Sequence, residues 1–399
     1  PRCGRFPVPY PTLPASRQGV ILLIAANTPT ANAGAGSPGC WIWRAARRRK
    51  GIAAPVTTRF HQGKRIFSHE QFMTAAHPPL LDIRDLVVKY AAAASGQRTL
   101  AAVNSVSLSL QAGSIFGLVG ESGSGKTSLA HAITQLVRPA SGHVLFHGSD
   151  LFSMNSSELR NARRNIQLVF QDPLVSLSPR RSVLQSLLEP LNHFRIGQAG
   201  MRQSLVADTL ETVGLDQDIA PRYPHELSGG QAQRVALARA LITGPELIIA
   251  DEAVSSLDVS VQARILELIL HLREQTGVAF LFISHDLAVI QQLGDVVGVM
   301  YLGKMLEIAP AERLFREPAH PYTRSLLDAV PVPDPEYGKP RVLGGELPSP
   351  LTPPAGCVFH TRCPEAMDQC RNVEAAEKLI AEGEASHSDH LVRCHLWNS

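Results

Sequence analysis

Acidic residues are almost missing from the first 72 positions, where Glu70 stands alone against 11 Lys and Arg for a local net charge of +10. Residues 73–399 then carry a net of −7, so the formal +3 of the chain conceals an acidic body. Such a body argues against a general nucleic-acid surface. Long apolar runs are missing too. The run GVILLIAAN (19–27) falls short of the roughly 20 residues a spanning helix needs, and no other stretch approaches that length. Its basic neighbours do not lead straight into a long apolar region, as a signal peptide requires. The expectation is a chain bound to a membrane at most through a partner. Methionine is absent before Met73, and the preceding stretch is rich in Pro, Gly and Ala with a basic run, RAARRRK (44–50). Residues 1–72 are therefore expected to be translated upstream sequence or a poorly ordered extension. CxxC pairs are absent as well, although four of the six cysteines crowd into the last 43 residues. What remains is 44% apolar content, ample for a buried core.

Two phosphate cradles are present. SIFGLVG (114–120) reads as a short apolar strand ending in glycine, and ESGSGKTSLAHAITQLV then takes helical spacing. Gly120, Gly125, Lys126 and Thr127 satisfy G-x-x-x-x-G-K-[ST], with Ser122, Gly123 and Ser128 in the same loop and helix start. Backbone N–H groups converge on phosphate there, Lys126 adds positive charge at the β/γ oxygens, and the Thr127 hydroxyl can ligate Mg²⁺. ELIIADE (246–252) delivers two carboxylates to a strand end, Asp251 for the Mg²⁺ shell and Glu252 to polarise the attacking water. VAFLFIS (278–284) ends at His285, placed to sense the γ-phosphate.

The second cradle is HELSGGQAQRVALARAL (225–241), with Ser228, Gly229, Gly230 and Gln231 at a helix start. One nucleotide is already surrounded by the first cradle, so the second serves it only from the opposite side. A dimer in which LSGGQ of one subunit closes over ATP held by the other solves this.

At these motifs the sequence resembles the ATP-binding cassette family, over residues 80 to 399, with P-loop, LSGGQ, IIADE and SHD in the family's order. The resemblance implies an α/β P-loop ATPase with a RecA-like core, an antiparallel β subdomain and a helical subdomain near 150–230, the cassette spanning 73–318. It also implies that Tyr90 stacks on adenine, that Gln171 links the Mg²⁺ and the attacking water to the helical subdomain, and that Asp258 is a dimer contact. Two departures stand out: Ala253 and Val254 replace the usual Pro-Thr after the glutamate, so Glu252 is expected to be less rigidly aimed, and Ala232 replaces a common arginine.

HPYTRSLLDAVPVPDP (320–335) and GCVFHTRCPEAMDQC resemble the C-terminal extension, here 319–399, of oligopeptide, dipeptide and nickel importer ATPases. That branch implies a second ATPase subunit, a paralogue, with two membrane permease subunits and an extracytoplasmic solute-binding protein. The chain would then sit peripherally on the cytoplasmic face of a bacterial inner membrane, without nucleic acid. Cys357, Cys363, Cys370 and Cys394 suit a [4Fe–4S] cluster, which some members of the branch carry, a zinc ion, or plain buried thiols. The rival reading is a soluble cassette ATPase acting on the ribosome or nucleic acid. A single P-loop, a single LSGGQ and the lack of sustained heptads weigh against it.

Overall fold

The computed structural model describes residues 78–91, 99–330, 344–380 and 390–397, all within the unit Arg65–Ser399. The basic stretch 1–72, with the expectation attached to it, lies outside the described residues.

The strands in chain order are β1 (Leu81–Ala91), β2 (Thr99–Leu110), β3 (Ile115–Val119), β4 (Ser141–Phe146), β5 (Ser149–Asp150) and β6 (Ile166–Val169). They continue with β7 (Leu247–Asp251), β8 (Ala279–Ser284), β9 (Val296–Tyr301), β10 (Lys304–Pro310), β11 (Lys378–Ile380) and β12 (His390–Val392). A four-stranded antiparallel sheet runs β2-β1-β4-β5, and an eight-stranded sheet runs β11-β12-β10-β9-β3-β8-β7-β6. This is the α/β nucleotide-binding architecture that the motifs imply.

Residue pattern explains the difference between the sheets. β1 interrupts its buried positions Leu81, Ile83, Leu86 and Val88 with exposed ones, as a strand with one wet face does. In β3 (IFGLV), β7 (LIIAD) and β8 (AFLFIS) every residue is buried. Parallel pairing of β6, β7, β8, β3 and β9 accounts for that, because both faces are covered. Alternate side chains then enter two different cores. Ile248, Ala250, Phe280 and Phe282 join one cluster, with helices from the 183–293 region, while Leu247, Ile249, Leu281 and Ile283 join the other, with β1, β2 and β4.

Between β6 and β7 the chain is helical, in segments Pro173–Ser176, Val183–Phe194, Arg202–Thr212 and Gly229–Leu241. Ser182 and Ser228 begin two of them with capping boxes that satisfy otherwise orphaned N–H groups. Downstream of the core the chain returns to the main sheet. β12 pairs antiparallel with β10 through Glu307↔Val392 and Ile308↔Leu391, so the C-terminal segment lengthens the sheet that carries the phosphate loop.

Candidate nucleotide site

β3 ends at Val119 and the helix Lys126–Ile133 begins seven residues on, with the phosphate loop between them. Crowding enforces glycine at two points. A Cβ at Gly120 (φ +154) would lie 2.1 Å from the Met300 carbonyl oxygen, and one at Gly125 (φ +104) would lie 2.0 Å from that of Ala102. Gly123 (φ +79) faces open space. Ser122 lines the cleft beside the loop, and Thr127 and Ser128 occupy the first helical turn. Lys126 is only 4% exposed and turns into the loop. Its Nζ donates to the carbonyls of Gly120 (2.7 Å) and Glu121 (3.0 Å) and to Ser124 Oγ (3.3 Å). Burial lowers its pKa, opposed by the carboxylates of Glu252, Asp251 and Glu121.

Opposite the lysine, Thr127 Oγ1 donates to Asp251 Oδ1 at 3.3 Å. Burial raises the Asp251 pKa, and the Thr127 hydrogen bond opposes it. A hydroxyl and a carboxylate side by side at the loop form a hard-oxygen donor pair that fits Mg²⁺, which takes few protein ligands and leaves the rest to water and phosphate. One residue further, Glu252 gathers the remaining groups. Gln171 Nε2 donates to Glu252 Oε2 at 3.0 Å, and His285 Nδ1 stands 3.4 Å from the same oxygen.

The expectation of a loosely aimed Glu252 meets a different picture. Glu252 has φ +47, a conformation that costs about 1–3 kcal/mol in a non-glycine residue and persists only when its surroundings impose it. Its N–H donates to the Ile283 carbonyl (3.0 Å), and its own carbonyl accepts from Ser255 N–H (3.1 Å) and Ser255 Oγ (2.9 Å). Ala253 and Val254 are buried in the core at 1% and 2% exposure and anchor the turn by packing. Ala232 is fully buried in the signature helix.

The other sequence candidates divide between two places. A cleft of about 430 Å³ at the phosphate loop is lined by Gly120, Glu121, Ser122, Glu252 and His285, with Leu326 from the C-terminal segment. A second cleft, of about 450 Å³, is lined by Ser228, Gly230 and Gln231 together with Arg222, Arg234 and Arg264, and it shares no lining residue with the first. Gly229 opens the helix beside it, with Ser228 as its cap. Asp258 caps the helix Val259–Thr276 by position but makes no side-chain capping bond, and it is exposed. Tyr90 sits on β1 opposite Leu100, two residues along β2 from the Ala102 carbonyl that crowds Gly125. Sequence reasoning passed over Glu121 and Leu326. Glu121 is a variable position of the loop pattern, and Leu326 reaches the cleft only through the path of the C-terminal segment.

The four C-terminal cysteines are free thiols. Among the described residues no group of three or more His, Cys, Asp or Glu side chains is placed to hold a metal ion, so neither the [4Fe–4S] nor the zinc expectation finds support. Cys357 and Cys363 pack against the main core, Cys394 packs with Ala319, Ile380 and Val392, and the Cys357 N–H donates to the Cys370 carbonyl at 2.8 Å. Burial, with the neighbouring cysteines adding to it, pushes Cys363 and Cys394 up to about 11.

Comparison with known proteins points to one family. Residues 103–255 match the family described as "ABC transporter", and residues 306–370 match "Oligopeptide/dipeptide transporter, C-terminal region". The chain is 49% identical over 322 residues to the "Probable peptide ABC transporter ATP-binding protein y4tS" of Sinorhizobium fredii, covering 79% of this chain and 90% of that protein. It is 46% identical over 336 residues to the "Oligopeptide transport ATP-binding protein AppF" of Bacillus subtilis, covering 82% of this chain and 100% of that one. Among solved structures it resembles the ATP-binding cassette MJ0796, in a dimeric post-hydrolysis state bound to ADP and Pi, with TM-score 0.53 and 28% identity over 58% of this chain and 98% of that one. With phosphate loop, paired carboxylates and signature helix in place on this fold, the chain belongs to the ABC transporter ATP-binding proteins of the oligopeptide/dipeptide branch, and it is an ATPase.

Proposed function

We propose that this ATPase powers the uptake of small peptides, or of a related solute such as a nickel chelate, as one of two ATPase subunits beneath a pair of membrane permeases fed by an extracytoplasmic binding protein. The observation that carries the reading is the separation of the phosphate-loop cleft from the signature cleft within one chain. Each ATP is then enclosed by the phosphate loop of one subunit and by Ser228, Gly229 and Gly230 of the other, with Asp258 at the contact. Tyr90 stacks on the adenine. Lys126 leaves the loop carbonyls to meet the phosphates. Thr127, Asp251 and Gln171 would hold Mg²⁺, which would neutralise phosphate charge. Glu252 orients and polarises the attacking water, aimed by Gln171, while His285 reports the γ-phosphate.

Attachment to the permeases is supported by exposed apolar side chains. Leu174 is 44% exposed, Val175 82% and Tyr223 41%, the last beside the signature segment. No helix among the described residues is long and apolar enough to cross a membrane, which fits attachment through such partners on the cytoplasmic face. The relatives' names support peptides as the cargo.

The test is affinity purification of the tagged chain from gently solubilised membranes, followed by ATPase assay of the recovered complex. Recovery of two multi-span subunits and a second cassette ATPase, with turnover stimulated by a peptide-loaded binding protein, is the expected result. Recovery without membrane subunits overturns the transport assignment and leaves the ATPase standing.

A further inference from the structure

The C-terminal segment hydrogen-bonds the phosphate loop at Glu121, at both backbone and side chain. Tyr322 Oη accepts a hydrogen bond from Glu121 N–H at 3.0 Å. Arg362 closes a fork on the carboxylate, with Nη1 at 2.8 Å from Oε2 and Nη2 at 3.1 Å from Oε1. The Arg362 side chain is 7% exposed and that of Glu121 26%. Glu121 meanwhile offers its carbonyl to Lys126 Nζ at 3.0 Å, so the residue that Arg362 grips is also one that positions the phosphate-loop lysine.

Both clamping residues are themselves rigidly mounted. Tyr322 opens the helix Pro321–Asp328, whose N-cap His320 accepts the Tyr322 N–H at its Nδ1 (3.0 Å). The buried Glu307 carboxylate accepts the N–H groups of Ala319 (2.7 Å) and His320 (2.9 Å), and His390 Nε2 lies 2.7 Å from it, which pins the HPY turn to β10 and β12. The Tyr322 ring packs at a tilt against Tyr301 and Phe359, at ring distances of 4.7 and 5.2 Å. Arg362 lies over the Tyr301 ring, 5.9 Å from its centroid, with Nε 3.3 Å from the Gly344 carbonyl.

Charge gives this arrangement a function. Glu121 lines the cleft that receives a polyphosphate, and an unpaired carboxylate there would repel the ligand and compete for Lys126. A bidentate guanidinium at a half-buried site both neutralises the carboxylate and fixes where it points. We infer that Arg362, supported by Tyr322, is a positioning residue of the ATP site, which holds the Glu121 carboxylate out of the phosphate space and keeps the loop shaped for nucleotide. The segment that distinguishes the oligopeptide branch thereby contributes to nucleotide affinity in the same chain. This rests on the phosphate loop being the ATP site, which loss of ATP binding in Lys126→Ala establishes separately.

The test is a double-mutant cycle on the full chain, reading ATP affinity and the split between KM and kcat. Arg362→Gln is expected to raise Kd and KM for ATP about tenfold with little change in kcat, because it leaves a carboxylate facing the phosphates. Glu121→Gln together with Arg362→Gln is expected to return the Kd to within about threefold of the wild type, since the repelling charge is gone. Arg362→Lys, which keeps charge without the fork, falls between. Equal loss in the single and double variants, or unchanged ATP affinity in a folded Arg362→Gln, overturns the inference. If Arg362→Gln does not fold, Tyr322→Phe replaces it, and an unaltered KM in that variant counts against the clamp.

Discussion

Gln171 donates its side-chain amide to Glu252 across 3.0 Å, joining the segment that enters the helical region to the carboxylate at the end of β7. One oxygen of Glu252 receives Gln171 and faces His285, so the orientation of this carboxylate depends on both. Substituting Glu252 by Gln leaves the contacts geometrically possible but removes the base. Turnover should fall about 100-fold or more, the scale of a general base, while ATP binding survives and an ATP-dependent closed dimer accumulates. Gel filtration with and without ATP, beside a phosphate-release assay, checks both halves. Near-normal turnover removes Glu252 from its role.

Gly120 lies where β9 presses on the phosphate loop. Ala at this position sets a Cβ against the Met300 carbonyl, a backbone group that cannot rotate aside. A stability loss of about 2 kcal/mol is expected, in the range of overpacked sites. Nucleotide binding should be lost with it. Gly123→Ala is the comparison, because nothing lies within 4 Å of its Cβ position and only its φ of +79 opposes the change. Urea midpoints and fluorescent-nucleotide titration separate the two, and equal losses would show that the Met300 contact does not matter.

His320 makes the HPY turn acid-sensitive. Burial, with the Arg324 charge adding to it and Glu307 opposing, lowers its pKa from 6.5 to about 4. A base with a depressed folded pKa takes up its proton more readily when unfolded. Stability is therefore complete above about pH 6.5 and is lost as pH falls toward 4, by at most about 3 kcal/mol. Unfolding midpoints at pH 7 and pH 5 should differ in the wild type and converge in His320→Gln. An equal slope in both assigns the acid sensitivity to another group.

Val175, at 82% exposure, costs the isolated chain little when changed. Val175→Asp should leave stability within about 0.5 kcal/mol and basal turnover intact. Co-purification with membrane subunits should fall sharply. Undiminished recovery moves the docking surface elsewhere.

The contiguous chemistry of this protein was legible in its residues alone. Glycines, lysine and threonine of the phosphate loop, the Asp251–Glu252 pair and the capped LSGGQ helix are each built within a few residues, where local geometry sets their roles. Uniformly apolar runs such as LIIAD and AFLFIS likewise announce parallel strands covered on both faces. Contacts between distant segments were decided only by the tertiary structure. Gln171 meets Glu252 across 81 residues and Arg362 meets Glu121 across 241, because sheet order departs from chain order. Spacing along a chain limits how far apart two groups can lie, and the packing of what lies between decides whether they meet.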